Sequence, residues 1–177
     1  MRKYIPYILI ISFVFILVPT VHVASYAGET YEEYSKRIDN ERAIDNAKKE
    51  VRNNPDDEWA HFNLGYAYNE SGKYEEAIFS YKQAIRIKPD FATAYHNLGV
   101  AYTRNRSWKS GDKALEKAVV LYKKIIRANP EDVRIQNNLG LAYLSLNDRD
   151  SALEQYKILK KLNTKLANKL FDKIYRK

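Results

Sequence analysis

The chain has 177 residues, of which 45% are apolar and 29% charged; its formal net charge is +8 and it has no cysteine. That length suits one domain rather than two. The missing thiols exclude disulfides, thiol catalysis and cysteine-ligated metals. His22, His61 and His96 are the only histidines, and no two share ligand spacing on one helix face, so no metal site and no cofactor is expected.

The first element is an export segment. Arg2 and Lys3 precede an apolar run from Ile5 to Val18, Pro19 breaks the run, and Ser25-Tyr26-Ala27 supplies small residues at a cleavage position. Residues 1–27 therefore read as a secretory signal cut after Ala27. The rival reading is a retained membrane anchor over residues 5–23, which reaches a spanning length only by counting Pro19, Thr20 and His22. Either reading exports the body of the protein to a periplasm or the cell exterior. No Cys follows the run to carry a lipid anchor.

The positive charge is local. Gly28 to Tyr156 holds 20 basic and 21 acidic residues, whereas Lys157 to Lys177 holds 8 basic residues and only Asp172 acidic. A nucleic-acid binder would spread cations along a face or groove, so no nucleic-acid partner is expected.

Beyond the export segment the chain repeats itself. Gly65 and Gly99 are 34 residues apart, as are Pro55 and Pro89; Gly99 to Gly140 and Pro89 to Pro130 are each 41. Residues 28–54 form an N-terminal helix in which Ala43-Ile44 and Ala47 precede Pro55 as Ala77-Ile78 and Tyr81 precede Pro89. Three copies of a helix-loop-helix phrase fill residues 55–164, at about 58–91, 92–132 and 133–164. The second carries seven extra residues, assigned to the stretch around Arg106 to Asp112. They lengthen the turn or add two helical turns to its neighbour. Residues 165–177 form a basic capping helix whose apolar stripe is Leu166, Ala167, Leu170 and Ile174.

The phrase Asn-Leu-Gly-x-Ala-Tyr recurs at Asn63, Asn97 and Asn138, and the Gly, Tyr, Ala, aromatic and Pro positions recur in register with it. This pattern resembles the tetratricopeptide repeat over about Glu58 to Asn163. The resemblance implies an all-α, right-handed solenoid of αα-hairpins: three motifs, an N-terminal half-repeat helix and a C-terminal capping helix. Repeats of this length stack neighbour on neighbour. Gly65, Gly99 and Gly140 are expected to meet Ala77, Ala118 and Ala152 where paired helices cross. Tyr81, Tyr122 and Tyr156 fill the second helices. Ile125 stands where the first copy has Ala84, so looser packing on the next repeat is expected there. Gly72 marks a tight turn and Asn147 holds the similar place in the third copy.

In that family the first helices of successive pairs line a concave groove that holds a peptide or a partner helix. The resemblance thus assigns Trp59, Asn63, Tyr66, His96, Asn97, Arg134 and Asn138 to a partner-binding groove. A carboxamide both donates and accepts, so Asn63, Asn97 and Asn138 can pair with a peptide backbone whatever its side chains; alternatively each bonds its neighbouring helix. Phe62 is expected to pack on the N-terminal half-repeat. Trp108, with Arg104 and Lys109 nearby, marks a secondary surface, although a Trp in such a place more often folds back on a neighbouring helix. No phosphate loop, triad motif or carboxylate cluster points to catalysis. The function expected is a non-enzymatic adaptor or scaffold of the cell envelope with a protein or peptide partner. The alternative is attachment to anionic lipid or polymer through the basic C-terminal helix and Trp108.

Overall fold

The computed structural model describes residues 30–175. The expected signal or anchor lies outside the described residues, as do Arg176 and Lys177 of the expected cap. Among the described residues there are eight α-helices and no strand: α1 Tyr31–Asn53, α2 Glu58–Glu70, α3 Tyr74–Ile87, α4 Ala92–Arg104, α5 Trp108–Ala128, α6 Val133–Ser145, α7 Arg149–Leu162 and α8 Thr164–Tyr175. The described residues divide into two compact units, with the boundary between Ala43 and Ile44, inside α1.

In the first unit, α1 starts with a capping box. The Glu33 amide donates to Thr30 Oγ1 at 3.2 Å, and the Thr30 amide donates to Glu33 Oε2 at 2.8 Å. This satisfies two helix-end donors reciprocally.

The second unit is a stack of hairpins. Each helix from α2 onward packs on the next, and the first helices α2, α4 and α6 also touch one another in sequence. Helix α8 contacts both α7 and α6, so it takes the place of a fourth first-helix and closes the third pair. Its Ala167, Leu170 and Ile174 are buried there. At the other end, Ile44 and Ala47 are buried against Ala67, with Leu64 and Tyr68 packed alongside.

Proline and Asp punctuate the stack. Pro55, Pro89 and Pro130 each stand in the short link before a first helix, where a missing amide hydrogen ends the preceding helix. Asp57 and Asp132 cap α2 and α6: Asp57 Oδ1 accepts from the Trp59 amide at 2.9 Å, and Asp132 Oδ1 from the Arg134 and Ile135 amides at 2.9 and 3.3 Å. Where Thr164 replaces the expected Pro, only Asn163 separates α7 from α8.

Of the two readings the sequence left open, the seven extra residues lengthen the helix and not the turn, and they lie beyond the stretch around Arg106 to Asp112. The turns inside the three hairpins are the same turn. The Lys73, Ser107 and Asp148 amides donate to the Tyr68, Tyr102 and Tyr143 carbonyls at 2.9, 2.8 and 2.8 Å. Gly72, Arg106 and Asn147 occupy the same left-handed position, with φ of 74°, 59° and 59°. The extra length lies instead in α5, which has 21 residues where α3 and α7 have 14. Since the turn before it is unchanged, the addition is two turns at the C-terminal end of α5. Seven residues fall only about 20° short of two full turns, so the buried face continues almost unrotated.

This shift corrects the expected contacts. Gly99 faces Leu115, sixteen residues on, as Gly65 faces Tyr81; a Cβ would lie 2.6 Å from Leu115 Cγ and 2.7 Å from Tyr81 Cδ1. Gly140 faces Leu170 of α8 at 2.7 Å and Gln155 at 3.3 Å. The nearest groups to the three glycines are therefore large side chains, while the expected partners Ala77, Ala118 and Ala152 are fully buried as well. In this register Ala118, not Ile125, corresponds to Ala84, and both alanines are fully buried. Ile125 is partly exposed on the added turns. Phe62 turns from the half-repeat toward α3 and the link into α4, with ring centroids 5.7 Å from Tyr81 and 5.3 Å from Phe91. Tyr81 and Tyr122 are fully buried; Tyr156 is only partly so.

Candidate docking groove

Three helices present one repeated stripe. On α2 it runs Trp59, Asn63, Tyr66; on α4 Thr93, Asn97, Val100; on α6 Arg134, Asn138, Leu141. Spacings of four and three place each triplet on one helix face. Trp59 and Tyr66 are 48% and 53% exposed, Asn63 is exposed, and Asn97 and Asn138 are half-buried. Among the described residues, none of the three Asn side chains makes an intramolecular hydrogen bond. The alternative in which each carboxamide bonds its neighbouring helix is therefore not what the structure shows.

The first positions of the stripe gather around one cavity of about 450 Å³. Trp59, Thr93, Arg134 and Asn138 line it, together with Lys88, Asp90 and Phe91 from the link into α4 and Tyr122 and Ile125 from the added turns of α5. Trp59 is held by edge-on contacts to Phe91 and Phe62, at 4.6 and 5.5 Å between centroids. Lys88 Nζ donates to Glu58 Oε1 at 3.1 Å and stands 5.5 Å from the Phe91 ring centre. The fully buried Tyr122 donates through its hydroxyl to Thr93 Oγ1 at 3.5 Å, and burial pushes its phenol up to about 12. Arg134 lies 3.6 Å from Asp132 with most of its side chain in solvent.

His96 sits one position before Asn97, edge-on to Tyr122 at 6.3 Å. Burial, helped by the charge of Lys173, lowers its imidazole to about 4, so it enters the site neutral. The cavity thus unites Trp59, Arg134 and Asn138 of the sequence-assigned residues. Asn63, Tyr66, His96 and Asn97 lie outside its lining.

The secondary surface divides. Arg104, at the end of α4, lies 3.6 Å from Glu70. Trp108 and Lys109 begin α5 and are exposed. Trp108 is 61% exposed, so it does not fold back on a neighbour; it occupies the place of Tyr74 in the first hairpin.

Sequence reasoning missed Tyr122 and Ile125 as groove residues. The signal was there, because Ala118-Val119 and then Ile126-Arg127 both imitate Ala84-Ile85-Arg86, one heptad apart. It also missed a pair of anchoring bonds: His61 Nε2 donates to the Pro55 carbonyl and Gln136 Nε2 to the Pro130 carbonyl, each at 2.8 Å. Among the described residues no cluster of His, Asp or Glu has the arrangement of a metal site, and no helix is long and apolar enough to cross a membrane.

These features define a solenoid of helical hairpins with an inner row of first helices. Comparison with known families agrees: a TPR repeat model matches residues 65–105, and two tetratricopeptide repeat models match residues 47–79 and 90–157. The chain belongs to the tetratricopeptide-repeat family. It is similar to several solved structures. TTC0263, a thermophilic TPR protein in Thermus thermophilus, is 22% identical with a TM-score of 0.56, over 76% of this chain and 72% of that one. The MamA protein is 28% identical with a TM-score of 0.47, over 73% and 67%. The first TPR of Spaghetti (RPAP3), bound to the HSP90 peptide SRMEEVD, is 23% identical with a TM-score of 0.47, over 66% and 89%. The likeness to TTC0263 bears on the fold alone. No curated protein matches the sequence.

Proposed function

We propose that this protein is a non-catalytic docking scaffold of the cell envelope, and that its inner row of helices holds an extended or helical segment of a partner protein. The tetratricopeptide-repeat fold supports the general class, since such solenoids present extended binding surfaces. The observation that carries the reading is the set of three unengaged carboxamides, Asn63, Asn97 and Asn138, at equivalent places on consecutive first helices. A free carboxamide next to exposed Trp59 and Tyr66 offers backbone pairing beside aromatic anchors, the residue types that dominate interface energies. Neutral His96 and cationic Arg134 supply selectivity. The envelope location rests on residues 1–27, read from sequence.

Affinity purification from the native envelope fraction, with the wild type beside an Asn97→Ala, Asn138→Ala variant, tests the reading. It requires that the variant keep its helix content and thermal midpoint yet lose the bound partner. A partner retained at full yield contradicts it. The second reading, attachment to anionic lipid or polymer, draws on the exposure of Trp108 and predicts loss of attachment on Trp108→Ala at low salt instead.

A further inference from the structure

Two clefts open on helix faces turned away from the asparagine stripe. On α2, His61, Leu64 and Tyr68 stand about half a turn around the helix from Trp59, Asn63 and Tyr66; on α4, Tyr95, Leu98 and Tyr102 stand likewise from Thr93, Asn97 and Val100. The first trio lines a cleft of about 560 Å³, walled on α3 by Glu75, Glu76 and Phe79. The second lines one of about 370 Å³, walled on α5 by Ser110, Lys113 and Lys117.

The two clefts are one place in the repeat, written twice. His61 and Tyr95, Leu64 and Leu98, Tyr68 and Tyr102, Glu76 and Ser110, and Phe79 and Lys113 are each 34 residues apart. The floors keep their apolar and aromatic character while the walls change sign. Where the first hairpin has Glu75 and Phe79, the second has Lys109 and Lys113. Glu75, Glu76, Lys113 and Lys117 are all exposed, and among the described residues none of the four is in an ion pair. Lys82 adds a further cation, 5.5 Å from the centre of the Tyr102 ring. Phe79 leaves 65% of its surface in solvent at the wall of the first cleft. The second cleft carries Lys113 in that place, above a floor that an aromatic ring would cover.

Each cleft therefore has the chemistry that the other calls for. An unrelated basic or acidic protein would satisfy one of them. A second copy of this chain, turned about a two-fold axis, satisfies both at once, because such an interface sets residue i against j and j against i. We infer that this protein forms a two-fold homodimer through this face, with Phe79 of each copy seated on Tyr95, Leu98 and Tyr102 of the other, and Glu75 and Glu76 meeting Lys113 and Lys117. The asparagine stripe lies on the opposite side of α2 and α4, so the dimer leaves two grooves open. The inference goes beyond the groove reading and does not depend on it.

Sedimentation of the chain recovered from the native envelope, over a range of concentration and salt, tests it. The variants are Glu75→Lys, Glu76→Lys combined and Lys113→Glu, Lys117→Glu combined; all four side chains are exposed, and circular dichroism checks that both forms fold. The wild type is expected to saturate at two chains, more weakly at high salt. Each reversal alone opposes like charges at both contacts and should weaken the dimer by about tenfold or more. Mixing the two forms should restore it, since both contacts again pair opposite charges. An Asn97→Ala, Asn138→Ala chain should stay dimeric, which separates this interface from the groove. Single chains at every concentration, a dimer that ignores both reversals, or mixed forms that stay single would each overturn the inference. Growth beyond two chains would overturn it too, since a head-to-tail contact does not close at two.

Discussion

Arg106 holds a backbone φ of 59° at the place where the first hairpin has Gly72. A side chain in the left-handed region crowds the following carbonyl, at about 1–2 kcal/mol. Replacing Arg106 by Gly is therefore expected to raise stability by about 1 kcal/mol, read as a higher denaturant midpoint at constant slope. An unchanged or lower midpoint would mean that the Arg106 side chain contributes a compensating contact. Asn147 tolerates the same φ more readily, so its Gly variant should gain less. His96 gives a pH signature. Its pKa is lowered from 6.5 to about 4 in the folded state, so the unfolded chain binds the extra proton first. Its contribution is fully present above about pH 6.5 and is lost as pH falls toward 4, with a size of about 1–2 kcal/mol for a half-buried ring. His96→Gln should flatten that part of the stability profile between pH 7 and 4. A profile as steep as the wild type would place the acid sensitivity elsewhere.

At the scale of elements, α4 and α5 approach closely at Gly99 and Gly111. A Cβ on Gly99 would lie 2.6 Å from Leu115 Cγ and 3.0 Å from the Gly111 carbonyl oxygen. Leu115 is fully buried and the carbonyl belongs to a helix, so neither gives way freely. Gly99→Ala is expected to cost about 1–3 kcal/mol by overpacking, measured by thermal or chemical unfolding; a neutral variant would show that α5 can slide. The helices themselves were legible in the sequence because Pro, Gly and the repeated Asn-Leu-Gly phrase fix their ends. The place of the extra heptad was not. Insertion of seven residues leaves apolar spacing intact on both sides, so Ala118 and Tyr122 match Ala77 and Tyr81 in letters while Gly111 and Leu115 match them in space. Only the unchanged turn at Arg106 decides between the registers. The expected pairing of Gly99 with Ala118 was misread for the same reason, since a small residue one heptad away is an equally good sequence match.

For the second unit as a whole, the added turns of α5 do more than lengthen a helix. They bring Tyr122 and Ile125 to the same cavity as Trp59, Arg134 and Asn138, so the interruption of the repeat builds part of the groove instead of decorating its outside. The stripe of asparagines could be read from the sequence because it recurs with the repeat. The walls of the cavity could not, because they come from links and helix ends that vary between copies. The rotation of α8 also needed the structure, since that helix begins after a single residue and is set by packing of Leu170 on Gly140.

Site-specific photocrosslinking in the native envelope fraction tests the central claim most directly. A photoreactive residue at Asn97, on the inner stripe, is compared with one at Phe79, exposed on α3 away from it. Docking in the groove predicts one discrete adduct to a different protein from Asn97 and none from Phe79, whose only expected adduct is to a second copy of this chain. An adduct to a different protein from Phe79 alone, with Asn97 silent in a folded protein, would contradict it.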